Sequence, residues 1–146
     1  DGQGGGGYGL ARPQHAGSMS REALMAFHRE QVTVLAAAGA DVLLFETLPC
    51  ALEAKAIDEL LSADIPEATA IVSFSCKDES CLNSGEPLAP ALAAIEGCDQ
   101  IVAVGVNCTP PHLIAPLLRS ALTATAKPLV ACKIVILSRF ACCPSR

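Results

Sequence analysis

Four short apolar segments alternate with longer segments of mixed polarity along the chain. The short segments are rich in valine, isoleucine and leucine, which is typical of strands buried on both faces of a parallel sheet. They predict strands at about 42–45, 68–74, 101–106 and 128–131.

The segments between the strands carry apolar residues at helical spacing and begin at serine or proline. The first predicted helix begins at a cap on Ser18 or Ser20 and ends at Gly39. Further helices are predicted at about 51–62, 87–97 and 111–125. The residues expected to face inward are Leu24, Phe27, Val34, Leu35 and Ala38 on the first helix, and Ile57, Leu60 and Leu61 on the second.

Alternation of strands and helices leaves two folds, the doubly wound sheet and the (βα)8 barrel. The strand–helix units have similar lengths of about 30 residues, and no glycine fingerprint follows the first strand. Both observations favour an α/β fold that is part of a (βα)8 TIM barrel, with about four parallel strands and flanking helices.

Composition excludes several classes of function. Apolar residues make up 51% of the chain but aromatic residues only 3%, so the core is expected to consist of aliphatic side chains. The net charge is -5 without a basic cluster, which argues against nucleic acid or an anionic membrane as a partner. The eight cysteines are interpreted as mostly reduced, buried thiols, which indicates a cytoplasmic protein.

Polar groups follow three successive predicted strands. They are Glu46, then Ser75 with Cys76, then Asn107 with Cys108. Because the carboxyl ends of parallel strands share one rim, these groups are expected to face one region, where such folds place their active sites.

Each group has more than one interpretation. Glu46 is expected to bind a substrate ammonium group, although a helix cap or a pair with lysine would also satisfy a carboxylate. Cys108 is a metal ligand, a nucleophile or an inert buried thiol, and Asn107 orients its thiolate or binds substrate. Cys76 and Cys81 could belong to a metal knuckle, but no second pair lies nearby. The histidines, His15, His28 and His112, are interpreted as scattered, with His28 and His112 as surface or capping residues.

Several segments together resemble the homocysteine S-methyltransferase family. Residues 40–49, ADVLLFETLP, followed by Leu52-Glu53-Ala54, are similar to one family segment, and residues 102–111, VAVGVNCTPP, to its Asn-Cys signature. Weaker similarities lie in residues 71–78, in Asp1-Gly2 with Tyr8-Gly9, and in residues 127–130.

The resemblance implies a (βα)8 barrel that transfers a methyl group to the sulfur of homocysteine and makes methionine. The donor would be S-methylmethionine, S-adenosylmethionine or, in one branch of the family, betaine. It implies a zinc ion held by three cysteines, of which Cys108 is one, and a Glu46 that binds the homocysteine amino group. Glu46 and Asn107 are therefore the expected substrate-binding residues.

The chain departs from the family pattern after about residue 131. We expect residues 1–131 to form a partial homocysteine-binding domain and residues 132–146 a divergent tail. Cys142-Cys143 imitates the family's Gly-Gly-Cys-Cys pair but comes about one βα unit too early. Four strands of eight would leave open edges through which the chain could self-associate. The expectation is an incomplete, inactive fragment of a methyltransferase. The alternatives are a non-catalytic homocysteine-binding or interaction fragment and a barrel enzyme with Cys108 as nucleophile.

Overall fold

Four parallel strands form the sheet of the structure, a computed structural model that describes residues 19–131. The strands lie side by side in chain order, and each neighbouring pair is parallel. A doubly wound sheet would reverse its strand order, whereas a barrel keeps it sequential. The prediction of a partial barrel with about four parallel strands is therefore confirmed. The strands are β1 (Leu43–Leu48), β2 (Ala70–Phe74), β3 (Ile101–Val106) and β4 (Leu129–Ala131).

Helices precede each strand and begin where the sequence predicts. The side chain of Ser20 caps the first helix by accepting a hydrogen bond from the Ala23 amide, and Gly39 follows its end with a φ of 82°. A proline stands at the start of the fourth helix, where its missing N–H costs nothing. The helices are α1 (Arg21–Ala37), α2 (Ala51–Asp64), α3 (Leu88–Ala93) and α4 (Pro111–Ala121). Within the described part of the chain, no helix is long and apolar enough to span a bilayer.

The core lies between the sheet and the helices and is mainly aliphatic, as the composition predicts. Ile57, Leu60 and Leu61 of α2 are fully buried, in agreement with the predicted inward face. On β1, Leu44 stays 54% exposed between two buried neighbours. Because strand side chains alternate between faces, the sheet face away from the helices, which is the inside of a barrel, is open at this strand.

The predicted inward face of α1 is only partly correct. Leu24 is buried, but Val34 and Leu35 are 68% and 49% exposed, and the buried positions are instead Leu24, His28 and Val32. This stripe is the face of α1 that packs against α2 and β1, and two ion pairs between partly exposed side chains also join α1 to α2. His28, which was expected at the surface, belongs to this buried stripe.

Strands β3 and β4 approach very closely at Gly105. A Cβ atom at this position would lie 1.7 Å from the backbone oxygen of Val130. Glycine is therefore required for the sheet to continue from β3 to β4, and this contact fixes the position of the strand-end residues that follow Gly105.

Candidate functional site

The ends of β1 and β3 bring three side chains into contact. The hydroxyl of Thr47, near the end of β1, donates to the sulfur of Cys108 over 3.4 Å. The amide nitrogen of Asn107 approaches the same sulfur at 3.5 Å. Cys108 is exposed to solvent, whereas Asn107 is only 4% exposed. The sulfur therefore lies at the solvent-exposed rim of the sheet, and its hydrogen-bond donors are the side chains of Thr47 and Asn107.

The carboxamide of Asn107 organises this contact. Its oxygen accepts hydrogen bonds from the Thr47 amide at 2.8 Å and from the Ser73 hydroxyl at 3.0 Å. Its nitrogen donates to the Thr47 hydroxyl oxygen at 2.8 Å. Because that oxygen already accepts from Asn107, the Thr47 hydroxyl proton is available for the sulfur. The chain of donors ends at Cys108, whose sulfur acts as an acceptor.

Thr47 and Cys108 share an uncommon backbone conformation. Their φ angles are 65° and 48°, and within residues 19–131 they are the two non-glycine residues with positive φ. Such a conformation is unfavourable for a β-branched residue such as threonine and is found most often where function requires it. That both residues touch each other indicates that the strand ends are shaped around this sulfur.

Glu46 comes directly before Thr47 and is half-buried. Phe45 pairs with Val72 across the sheet, so Glu46 and Ser73, one residue further on, lie on the opposite face from that pair. Ser73 binds Asn107 on that face. Glu46 and the Asn107 carboxamide are therefore on the same side of the sheet. Glu46 also lines a cavity of about 400 Å³ beside β1, whose other lining residues come from α1, β1 and α2 and include neither Asn107 nor Cys108.

Comparison with known proteins assigns the family. The model of a family described as homocysteine S-methyltransferase matches residues 2–139. The chain belongs to this family. A homocysteine S-methyltransferase from Bacillus subtilis, YbgG, is 42% identical over 113 residues, which are 77% of this chain and 36% of the relative. A selenocysteine Se-methyltransferase from Brassica oleracea var. italica is 42% identical over 109 residues, 75% of this chain and 32% of that protein.

Solved structures agree with this family assignment. The apo form of the homocysteine methyltransferase MmuM from Escherichia coli matches with a TM-score of 0.75 and 40% identity, over 80% of this chain and 45% of that one. Its metallated form matches with a TM-score of 0.73 and 42% identity, over 77% and 39% of the two chains. The chain spans about a third of the length of the curated relatives it matches.

Two other described thiols, those of Cys76 and Cys98, are poor candidates for chemistry. Burial raises the pKa of the Cys76 thiol to about 11, and the nearby Asp78 carboxylate adds to this effect. Burial likewise raises the pKa of Cys98 to about 11, and Asp58 contributes as a hydrogen-bond partner. Cys76 does lie at the rim, where its amide donates to the Thr109 hydroxyl, but its side chain is buried. Among the described cysteines, Cys108 alone is exposed.

The donor set for a metal is incomplete within residues 19–131. This part of the chain holds no group of three or more cysteine, histidine or acidic side chains that could bind a metal ion, so a knuckle at Cys76 and Cys81 gains no support. Cys108 fits one metal position, because its sulfur is exposed and accepts two hydrogen bonds. A structural or catalytic zinc site needs at least three protein ligands, and the remaining ones would come from outside the described residues, where Cys142 and Cys143 also lie.

The sequence did not predict the contact of Thr47 with Cys108 or the burial of His28. Thr47 stands in the quoted segment LFETLP, but its contact with Cys108 depends on a turn that no local pattern predicts. His28 is 9% exposed, and its Nε2 lies 3.0 Å from a carboxylate oxygen of Glu53. The ring of His28 also makes edge contacts with Phe27 and Phe45. The four-residue spacing of Leu24, His28 and Val32 was the signal that could have revealed its burial.

Proposed function

We propose that this chain contributes the homocysteine-binding side of a homocysteine S-methyltransferase site. The reaction is transfer of a methyl group from a sulfonium donor, S-methylmethionine or S-adenosylmethionine, to the sulfur of homocysteine, giving methionine. The observation that carries the proposal is the Cys108 sulfur, which accepts hydrogen bonds from Thr47 and Asn107 on the rim that also presents Glu46.

Zinc is the proposed metal, and Cys108 is the described residue that would hold it. When bound, zinc supplies a Lewis acid that favours the thiolate of a sulfur ligand in its open position. This matters because the thiol of homocysteine, with a pKa near the cysteine value of about 8.5, is mostly protonated at neutral pH.

Thr47 and Asn107 support Cys108 in this proposal. Both donate toward its sulfur, which stabilises negative charge there and fixes the direction in which the sulfur points. Asn107 is itself held by hydrogen bonds from Thr47 on β1 and Ser73 on β2. The position of the Cys108 sulfur, which follows β3, is therefore fixed relative to all three strands. Such rigid placement would fix the ligand that holds the metal, which suits an in-line displacement at the methyl carbon, where the homocysteine sulfur attacks and the sulfonium donor leaves as a thioether.

Glu46 is proposed to bind the ammonium group of homocysteine. Its carboxylate is half-buried on the same sheet face as the Asn107 carboxamide, so an amino acid whose sulfur lies near Cys108 can direct its amino group toward it. A charge-assisted hydrogen bond of this kind contributes about 1.5–3 kcal/mol, and its loss weakens binding by about 10- to 100-fold. Asn107 would shape the same pocket from β3.

The proposal is tested by titrating homocysteine into the zinc-loaded chain and following the heat of binding. Binding is expected for the wild type and for the control Cys81→Ser, which alters a half-buried thiol in the loop after β2. Binding is expected to weaken by about 10-fold or more in Glu46→Gln and to disappear in Cys108→Ser. Equal affinity in all four proteins would overturn the assignment of Glu46 and Cys108.

The same purified proteins also test two alternatives to this function. The relative from Brassica is named for selenocysteine, which makes a selenol amino acid a second candidate acceptor, and competition between selenocysteine and homocysteine tests it. The other alternative is an enzyme that uses Cys108 as its nucleophile, and the exposure of the Cys108 thiol favours it. That function requires rapid alkylation of Cys108 by iodoacetamide with no zinc bound, whereas a metal ligand is protected by added zinc.

A further inference from the structure

His28 forms a buried polar pair with Glu53 that the proposed methyl transfer does not use. The two residues are 9% and 7% exposed, and Nε2 of His28 lies 3.0 Å from a carboxylate oxygen of Glu53. Because an ionised carboxylate only accepts hydrogen bonds, Nε2 carries the hydrogen of this bond. Leu24 and Val32, one turn to either side on α1, are apolar and buried. The chain therefore has a polar residue where packing alone would favour a leucine.

A buried pair of this kind is costly to desolvate and is seldom more stabilising than apolar side chains of similar size. What it adds is direction, because the hydrogen bond forms only when donor and acceptor meet in one arrangement. The same two helices already have ion pairs between partly exposed side chains, from Arg21 to Glu59 and from Arg29 to Asp64. Joining α1 to α2 does not by itself require a further, buried pair, so the value of this pair lies in the arrangement that it imposes.

The ring of His28 contacts both ends of a segment, residues 45–53, that carries the rim residues of β1. At one end it makes an edge contact with the ring of Phe45, and the two ring centres are 5.7 Å apart. At the other end it donates to Glu53 in the first turn of α2. Glu46 and Thr47 lie between these contacts, so one side chain of α1 holds the backbone before and after them.

The middle of segment 45–53 is held from β2 and the loop that follows it. The amide of Ser75 donates to the carbonyl oxygen of Leu48 at 3.0 Å, and the amide of Ser84 donates to that of Pro49 at 3.0 Å. Thr47, directly before these residues, has a φ of 65°, and a threonine in this strained conformation persists only where its surroundings hold it. The contacts of His28 supply such support from the α1 side.

We propose that His28 is a positioning residue of the site. Through Phe45 and Glu53 it sets the positions of Glu46, the proposed receptor of the homocysteine ammonium group, and of Thr47, whose hydroxyl donates toward the zinc-ligand candidate at the end of β3. The part of the inference that concerns homocysteine rests on the proposed function, whereas the part that concerns the geometry of the rim does not. Loss of the His28 contacts should loosen the rim end of β1 and leave its other end in place.

Amide hydrogen exchange, followed residue by residue with NMR, tests the geometry of the rim without metal or ligand. The Thr47 amide donates to Oδ1 of Asn107 at 2.8 Å, and the Leu43 amide, at the opposite end of β1, donates to the Thr69 oxygen at 2.8 Å. In His28→Leu, exchange at Thr47 should accelerate by about tenfold or more relative to Leu43. In His28→Gln, whose side-chain amide nitrogen can replace Nε2 as donor, most of the protection should return.

The matched control is Arg29→Leu, one residue further along α1, which removes the ion pair with Asp64 at the last residue of α2. Its exchange at Thr47 should match the wild type. Titration of the zinc-loaded proteins with homocysteine is the second measurement. Binding should weaken by about tenfold or more in His28→Leu, because a displaced Glu46 meets the ammonium group poorly. Arg29→Leu and His28→Gln should bind within about threefold of the wild type.

Three results would overturn the inference. Equal acceleration at Thr47 and Leu43 in His28→Leu would mean a loss of global stability alone, and unchanged exchange at Thr47 would mean that His28 does not hold the rim. The third is equal affinity of His28→Leu and a wild type that binds homocysteine. If circular dichroism shows that His28→Leu does not fold, His28→Asn, which is polar but too short to reach Glu53, takes its place with the same expectations. A wild type that binds no homocysteine would contradict the proposed function, and the exchange rates would still decide the role of His28.

Discussion

The replacement of Gly105 by alanine is the sharpest structural test of the sheet. The added Cβ would lie 1.7 Å from the oxygen and 2.6 Å from the carbonyl carbon of Val130, both backbone atoms that no rotamer change can move. Real Cβ atoms essentially never come closer than 3.0 Å, so β3 and β4 must separate by about 1.3 Å.

This separation determines the expected loss of stability. The hydrogen bond from the Val104 amide to the Pro128 oxygen is 3.0 Å long, and a stretch of this size takes it beyond hydrogen-bonding range. Overpacking costs about 1–3 kcal/mol, and each backbone hydrogen bond lost adds about 1 kcal/mol. We expect Gly105→Ala to lower the free energy of unfolding by about 2–4 kcal/mol, which corresponds to a melting temperature lower by roughly 10 °C for a domain of this size.

The assay is thermal unfolding followed by circular dichroism, together with hydrogen exchange of the amides of β4. Gly97→Ala is the matched control, because no atom lies within 4 Å of the added Cβ, and it should change stability by less than about 0.5 kcal/mol. Exchange should accelerate at β4 in Gly105→Ala alone. A Gly105→Ala protein that melts with the wild type and keeps β4 protected would refute the close pairing of these strands.

Three further predictions concern the buried pair, the thiols and the loop after β2. Glu53→Ala leaves the ring of His28 buried without its partner and should cost about 1–3 kcal/mol in urea denaturation; an unchanged midpoint would mean that the pair contributes nothing. In the zinc-free chain, alkylation followed by mass spectrometry should modify the exposed Cys108 at neutral pH, and added zinc should protect it, whereas Cys76, with its pKa raised to about 11 by burial, should react only in strong alkali. Equal rates at neutral pH would contradict this difference. Backbone hydrogen bonds lower the pKa of Asp78, so its contribution to loop stability is present above the unfolded value and lost as pH falls through the lower folded value. Asp78→Asn should remove this acid dependence of exchange in the loop, and an unaltered profile would assign it to another group.

The sequence was sufficient to predict the parallel sheet and the residues that follow the carboxyl ends of its strands. Apolar segments, helix caps and prolines located all four strands and helices, since these signals are local. The similar unit lengths favoured a barrel over a doubly wound sheet, and the sequential strand order confirms that choice. The side chains that follow the strands could be assigned to one rim because parallel strands end together.

What could not be predicted depends on contacts between distant segments. Thr47 meets Cys108 across 61 positions of the chain through a bulge at the end of β1 and two left-handed residues, and neither has a local signature in the sequence. The exposure of Val34 and Leu35 follows from where α2 stands beside α1, whereas the helical period alone gave both residues an inward position. Burial of His28 likewise required Glu53, which belongs to the next helix.

The most direct measurement of the central claim is the zinc content of the purified chain and of Cys108→Ser, determined by elemental analysis after removal of loosely bound metal. Participation of Cys108 in the metal site predicts zinc in the wild type and in Cys81→Ser, and its loss in Cys108→Ser. Zinc that persists at the same level in Cys108→Ser, or a wild type that takes up none, would contradict the account.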